Sequence, residues 1–176
     1  MLAVNYTVLR DNMKKCLDQI TEGCEALLIM RTADRENVVA LSADSYETLQ
    51  ENLYLLESFS NQQRLEESIR QLAQGLSRVQ SLPGADRLVI FSENAWQDYT
   101  FWQAENEKTL KKIDAILTDI ATGTGGSFVR PRPLQGDLRG FWSRRINDHD
   151  RLIYRVDQEG IHVLACRYRQ GSGISG

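Results

Sequence analysis

Cysteine, proline and histidine are scarce in this chain: three, three and two among 176 residues. Cys16, Cys24 and Cys166 show no CxxC spacing, and His149 and His162 are too few and too scattered to complete a zinc site. That excludes a disulfide framework and a metal finger. Reduced, buried small residues are expected instead, with no metal and no cofactor. No apolar run approaches the roughly 20 residues needed to cross a bilayer, and the N-terminus lacks the basic, apolar and small-residue succession of a secretory signal. The expectation is a soluble cytoplasmic protein with no membrane partner. Lysine is missing from residues 123–176, where nine arginines face five acids.

What is present supports a packed globular protein, because 41% of the residues are hydrophobic and the length suits one ordinary domain or two small ones. The net charge of −3 hides an uneven distribution, since residues 1–80 hold 8 Lys/Arg against 12 Asp/Glu. An arginine-only segment favours phosphate: the guanidinium is a rigid fork of donors that stays charged at any relevant pH.

Along the chain, "LAVNY" reads as a short strand. Thr7 then caps a helix with Leu9, Met13, Leu17 and Ile20 on one face, stopped by Gly23. "ALLIMR" and "VVALS" form a hairpin with Arg31 at its mouth. Ser42 caps a helix with Tyr46, Leu49, Leu53 and Leu56 on one stripe, and a third helix over about 61–74 turns Leu65, Ile69 and Leu72 inward. Residues 76–86, with glycine, proline and no clear period, read as a linker. Beyond it "RLVIF" is a strand, Ser92 caps a helix bearing Trp96 and Tyr99, and a further helix carries Leu110, Ile113, Leu117 and Ile120 before Gly123.

After a Gly/Pro-rich loop, segments 140–146, 151–156 and 161–169 alternate with period two and predict an antiparallel meander. Leu152, Tyr154 and Val156 fall on one face and Arg151 and Arg155 on the other, and Arg167 and Arg169 share a face. The helical pair is expected on the apolar side, leaving the opposite side as a platform of guanidinium groups. Surface ion pairs with Asp148, Asp150, Asp157 and Glu159 are the plainer explanation of those arginines. A polyanion site is the other, favoured by the interleaved Phe141, Trp142, Tyr154 and Tyr168, which suit stacking on single-stranded RNA.

The stretches "RLVIFSENAWQDYTFWQ", "KKIDAILTDI", "RPRPLQGDLRGFWSRRINDHDRLIYRV" and "ACRYR" closely resemble the YoeB group of RelE-like mRNA interferase toxins. Those in residues 1–75, "NYTVLRDNM", "ALLIMR", "VVALSADSYETLQENLYLLES" and "NQQRLEESIRQLAQG", resemble the YefM/Phd antitoxins. The resemblance implies an α+β fold: a Phd/YefM-like dimerisation and DNA-binding domain at 1–75, the linker, a RelE/YoeB-like domain at 87–170 with two helices on an antiparallel sheet, and a flexible tail at 171–176. It places Arg10 and Arg31 at the antitoxin's DNA-contacting positions and implies an operator-binding homodimer or higher homo-oligomer. For the toxin part it implies mRNA and the ribosome as partners.

Cleavage by that family needs a base for the ribose 2′-OH, cations for the phosphorane and an acid for the leaving 5′ oxygen. Arg151 matches the family arginine. Arg132 stands where the glutamate belongs, and Arg169-Gln170 stand where a histidine–tyrosine pair belongs. An arginine neither takes the 2′ proton nor gives one up readily. Two expectations follow: a toxin half that binds RNA with lost or weakened cleavage, or a RelE-like endoribonuclease working through a cationic site and held in check by its own antitoxin half. Arg151, Arg132, Arg169 and Tyr168 are the catalytic set, and Arg130, Arg144, Arg145 and Arg167 the RNA contacts. His149, in an exposed turn, is a candidate displaced acid; His162 is a packing residue. Contact between the two halves within one chain or across protomers are equally open.

Overall fold

The computed structural model describes residues 2–23, 26–31, 35–83, 87–123 and 130–169. Cys24, Gln170, the tail 171–176 and parts of the hairpin turn, the linker and the Gly/Pro-rich loop lie outside the described residues. Two compact units divide the chain at Gln50/Glu51. Among the described residues no helix is long and apolar enough to cross a membrane.

In the first unit β1 (Leu2–Asn5) pairs in parallel with β2 (Leu27–Met30), which pairs antiparallel with β3 (Val38–Ala40), the expected hairpin. Between β1 and β2 run α1 (Tyr6–Asp11) and α2 (Met13–Gly23). The cap is Asn5, not Thr7: its Oδ1 accepts the Val8 amide at 2.8 Å. Asn12 then interrupts the helix, its side-chain amide donating to the Val8 carbonyl at 3.2 Å, a local bond that competes with helix continuation. This break rotates α2, so Cys16 and Ile20 join Leu27 in the small core while Met13 and Leu17 are exposed.

α3 (Ala43–Glu57) starts at Ser42, whose Oγ accepts the Ser45 amide, as expected. The apolar stripe read from the sequence faces outward. Tyr46, Leu49, Leu53 and Leu56 are exposed, and in the second unit the buried face is that of Asn52 and Leu55. The apolar period located the helix correctly but could not say which face the chain itself covers.

The second unit continues with α4 (Phe59–Ala73), capped by Ser58, and a sheet of six strands: β4 (Ser77–Ser81), β5 (Leu88–Ser92), β6 (Arg132–Pro133), β7 (Trp142–Arg145), β8 (Arg151–Val156) and β9 (Gly160–Ala165). Their order is β4-β5-β9-β8-β7-β6, antiparallel except for β5 beside β9. β4 corrects the linker expectation: residues 77–81 form an edge strand hydrogen-bonded to β5. Its alternation is too polar to announce burial, and what holds it is the backbone ladder, which side chains do not report.

α5 (Glu93–Glu105) and α6 (Glu107–Thr122) are capped by Ser92 and Asn106, and Gly123 ends α6 with φ 66°. They cover one sheet face over Phe91, Tyr99, Ile113, Leu117, Leu152 and Tyr154. The other face is not open. Leu55 of α3 and Leu65 of α4, with Ile69 and Leu72 beside them, pack there on Leu134, Leu138, Phe141, Ile153 and Leu164. Burying Leu65 and Leu55 fully contributes about 2 kcal/mol each to holding these helices in place.

Candidate nucleic-acid interface

Arg151 opens β8 on the face that α3 and α4 cover, and is 7% exposed. Its Nε donates to Glu51 Oε1 at 2.8 Å and its Nη1 to the Asn147 carbonyl at 3.0 Å. The same Glu51 oxygen accepts the Ser143 hydroxyl at 2.5 Å. One helical turn on, the Tyr54 ring lies between two flat groups: the Arg151 guanidinium at 4.8 Å and the Tyr168 ring, stacked at 4.6 Å and 21°. The Tyr54 hydroxyl donates to the His149 carbonyl at 2.8 Å, and the Tyr168 hydroxyl to the Tyr54 carbonyl at 3.3 Å. Burial raises both phenol pKa values above their usual range.

The turn that presents these groups is built by Asn147 and Asp150. Asn147 Oδ1 accepts the amides of His149 and Asp150, while Asp150 Oδ1 accepts the Tyr168 amide at 2.9 Å and anchors the segment after β9.

The other expected arginines do not share one platform. Arg144 faces α6, where its Nη1 meets Asp119 Oδ2 at 2.5 Å. Arg167 lies over the Phe101 ring of α5 at 3.7 Å, and Arg169 reaches Asp98 Oδ1 at 3.8 Å while its carbonyl accepts the Ser58 hydroxyl. Arg145 is exposed beside Asp148, Arg130 is exposed, and Arg132 is half-buried on β6. Two facts disperse them. Arg144 lies opposite Leu152 in the ladder and so shares the α5/α6 face, and β9 ends at Ala165, before Arg167 and Arg169 can alternate as a strand. In the first unit Arg10 is exposed next to Asp11, and Arg31 is exposed with its amide bonded to Asn37 Oδ1.

Sequence reasoning missed Glu51 and Tyr54, which lie off the apolar stripe of α3, and it missed a second polar cluster. Asp98 of α5 is 0% exposed and accepts Arg64 Nη2 of α4 at 2.6 Å. That nitrogen also donates to the Asn94 carbonyl at 2.7 Å, and Gln71 Oε1 accepts the Asn94 amide at 2.9 Å. His162 is buried as expected, with Nε2 2.9 Å from Asp157 Oδ1; with Glu159 these groups bring ligand-type atoms within 4.8 Å of one another.

Burial raises the Asp98 carboxyl to about 6 despite the opposing pull of the Arg64 guanidinium. The ordinary value is 3.8, so the folded chain holds this proton more tightly than the unfolded chain. The stability due to this group is therefore fully present below about pH 4 and declines as pH rises through about 6. The difference in urea midpoint between the native chain and Asp98→Ala is expected to shrink between about pH 4 and about pH 7; a difference that grows would contradict it.

Residues 91–170 match the family described as the YoeB-like toxin of bacterial type II toxin-antitoxin systems, and residues 1–75 match antitoxin Phd_YefM of the same systems. Toxin YoeB of Mycobacterium bovis is 40% identical over 82 residues, 47% of this chain and 96% of that protein. The chain belongs to the YoeB-like toxin family and carries an N-terminal Phd/YefM antitoxin domain. The fusion is also 39% identical to toxin YoeB of Escherichia coli K12 over 46% of its own length and 95% of that protein's. A solved YoeB-YefM complex from Staphylococcus aureus is 38% identical, covering 46% of the fusion and 94% of that chain, with a TM-score of 0.43.

Proposed function

We propose that this type II antitoxin–toxin fusion is a self-neutralised repressor. Its N-terminal part binds operator DNA as a homodimer or higher homo-oligomer, and its toxin part binds RNA on the ribosome with lost or weakened cleavage. The observation that carries the second statement is the Glu51 carboxylate on Arg151: the cation suited to a scissile phosphate is already engaged by an anion from α3. Arg132 and Arg169, in place of proton-carrying groups, support the loss of chemistry, because a guanidinium stays protonated. Exposed Leu2, Tyr6, Val8, Met30, Val38 and Val39 in the first unit support association of copies.

For the DNA part, a gel shift on the region upstream of the gene is expected to show specific binding, weakened about tenfold by Arg10→Ala or Arg31→Ala, the scale of one lost arginine contact to a base. Indifference to both changes removes this reading.

For the toxin part, retention of Arg151 and Tyr168 favours a second reading, an active ribosome-dependent endoribonuclease inhibited in cis. Programmed ribosomes read by primer extension separate the two. The native chain is expected to leave mRNA intact. Glu51→Ala with Tyr54→Ala, which opens the face, is expected to cut about a hundredfold slower than the same chain also carrying Arg132→Glu, Arg169→His and Gln170→Tyr, since acid–base groups contribute factors of that order or more. Rapid cutting without those three changes establishes the enzyme instead.

A further inference from the structure

We propose that the outer edge of β4 is a docking surface for a second copy of this chain, the two β4 strands lying antiparallel about a two-fold axis at Val79 and joining two six-stranded sheets into one. This contact stands apart from the operator and RNA readings, and from the apolar residues of the first unit that support association of copies. β4 also lies outside both family-matched segments, 1–75 and 91–170, so it belongs to the junction that makes the chain a fusion.

The sequence of the strand supplies the occupant. From Leu76 to Leu82 it runs LSRVQSL, which reads the same in both directions except at one pair, Arg78 and Gln80. An antiparallel strand of the same sequence centred on Val79 therefore sets Val79 against Val79, Ser77 against Ser81 and Arg78 against Gln80. No charge then faces its like directly, and the apolar and hydroxyl side chains meet their own kind, as cross-strand pairing favours. Moving the axis to Arg78 would instead set two guanidinium groups face to face. A surface that complements itself in this way is what a two-fold contact requires.

The edge is also unguarded. Among the described residues β4 is the terminal strand of its sheet, and its five pairs with β5, from Ser77↔Ser92 to Ser81↔Leu88, run without a register shift. Such a strand presents a row of backbone donors and acceptors outward, and sheets commonly blunt it with proline, lysine, a bulge or shortness. The opposite edge has two of these devices, for β6 is two residues long and ends in Pro133. β4 has five residues, SRVQS, with no proline, lysine or acid among them. Val79 is 60% exposed beside that open ladder, apolar surface that a facing copy would cover.

The test uses the full chain at about 200 µM, since a contact smaller than the roughly 1,200 Å² of a standard interface is a weak one. Under mild oxidation by copper phenanthroline, Val79→Cys is expected to form an intermolecular disulfide about tenfold faster than the native chain, in which Cys16 and Cys166 are buried. Directly opposed residues have Cα atoms about 4.5 or 5.5 Å apart, within disulfide reach at either kind of ladder position. Arg78→Cys and Gln80→Cys are each expected to stay at the native rate alone and to cross-link when mixed, because only the two together are opposed. Val79→Glu, which sets two carboxylates face to face at an exposed position, is expected to lower the mean mass in sedimentation equilibrium to about half that of the native chain. Val79→Cys linking at the native rate, either single variant linking to itself as fast as Val79→Cys, a mixture that does not link, or a Val79→Glu mass equal to the native one overturns the proposal.

Discussion

Asp98→Ala is expected to lower the unfolding free energy by about 3 kcal/mol at neutral pH, the cost of leaving a buried charge without its partner. Asp98 is wholly enclosed, accepting Arg64 Nη2 through Oδ1 and the Cys166 amide through Oδ2 at 3.3 Å. Arg64 has only 11% of its side chain exposed, so without Asp98 its charge is left poorly solvated. Urea unfolding of the full chain measures the loss as a lower midpoint with the slope unchanged. Adding Arg64→Met should recover more than half of it, because an apolar side chain of similar length removes the stranded charge. A loss under about 1 kcal/mol for Asp98→Ala would show that the pair does not tie α4 to α5, since even exposed pairs reach that value.

Gly160→Ala is expected to cost about as much, roughly 3 kcal/mol, by a different route. Gly160 has φ 151°, and a Cβ there would stand 2.3 Å from the Leu88 carbonyl oxygen and 3.1 Å from its carbon. Leu88 is its ladder partner across the parallel β5–β9 pair, so relief requires the central strands to part. Gly136→Ala is the control. Its φ of 62° is strained for alanine, but nothing lies within 4 Å, so only the backbone term of about 1 kcal/mol should appear. Equal losses at the two positions would show that the close approach is relieved without harm.

What the sequence disclosed and what it withheld divide along one line. Caps at Ser42, Ser92 and Asn5 are local bonds, and a reading along the chain finds such positions to within a residue or two: Ser42 and Ser92 were named outright, and Thr7 lies two residues from Asn5. The parity of β8 was equally legible: Leu152 and Tyr154 pack under α5 and α6 while Ile153 turns the other way. Which arginines from different strands share a face depends on register, and what covers that face depends on residues far away. Glu51 and Arg151 are 100 positions apart. The strand at 77–81 was illegible for another reason, since Val79 is exposed and the segment is held by hydrogen bonds to β5. The stripe on α3 was legible but its covering was not, because apolar spacing marks a face that needs company without saying whether the chain itself provides it.

The edge strand β4 has one more implication. It splices the restraining helices directly into the margin of the sheet they cover, with the Ser77–Ser81 ladder running on from α4. A processive protease that swallowed the covering helices would therefore unravel the sheet as well. The two parts share one lifetime and a fixed ratio of one to one, and any exposure of the covered face has to come from a reversible movement of those helices rather than from their selective destruction.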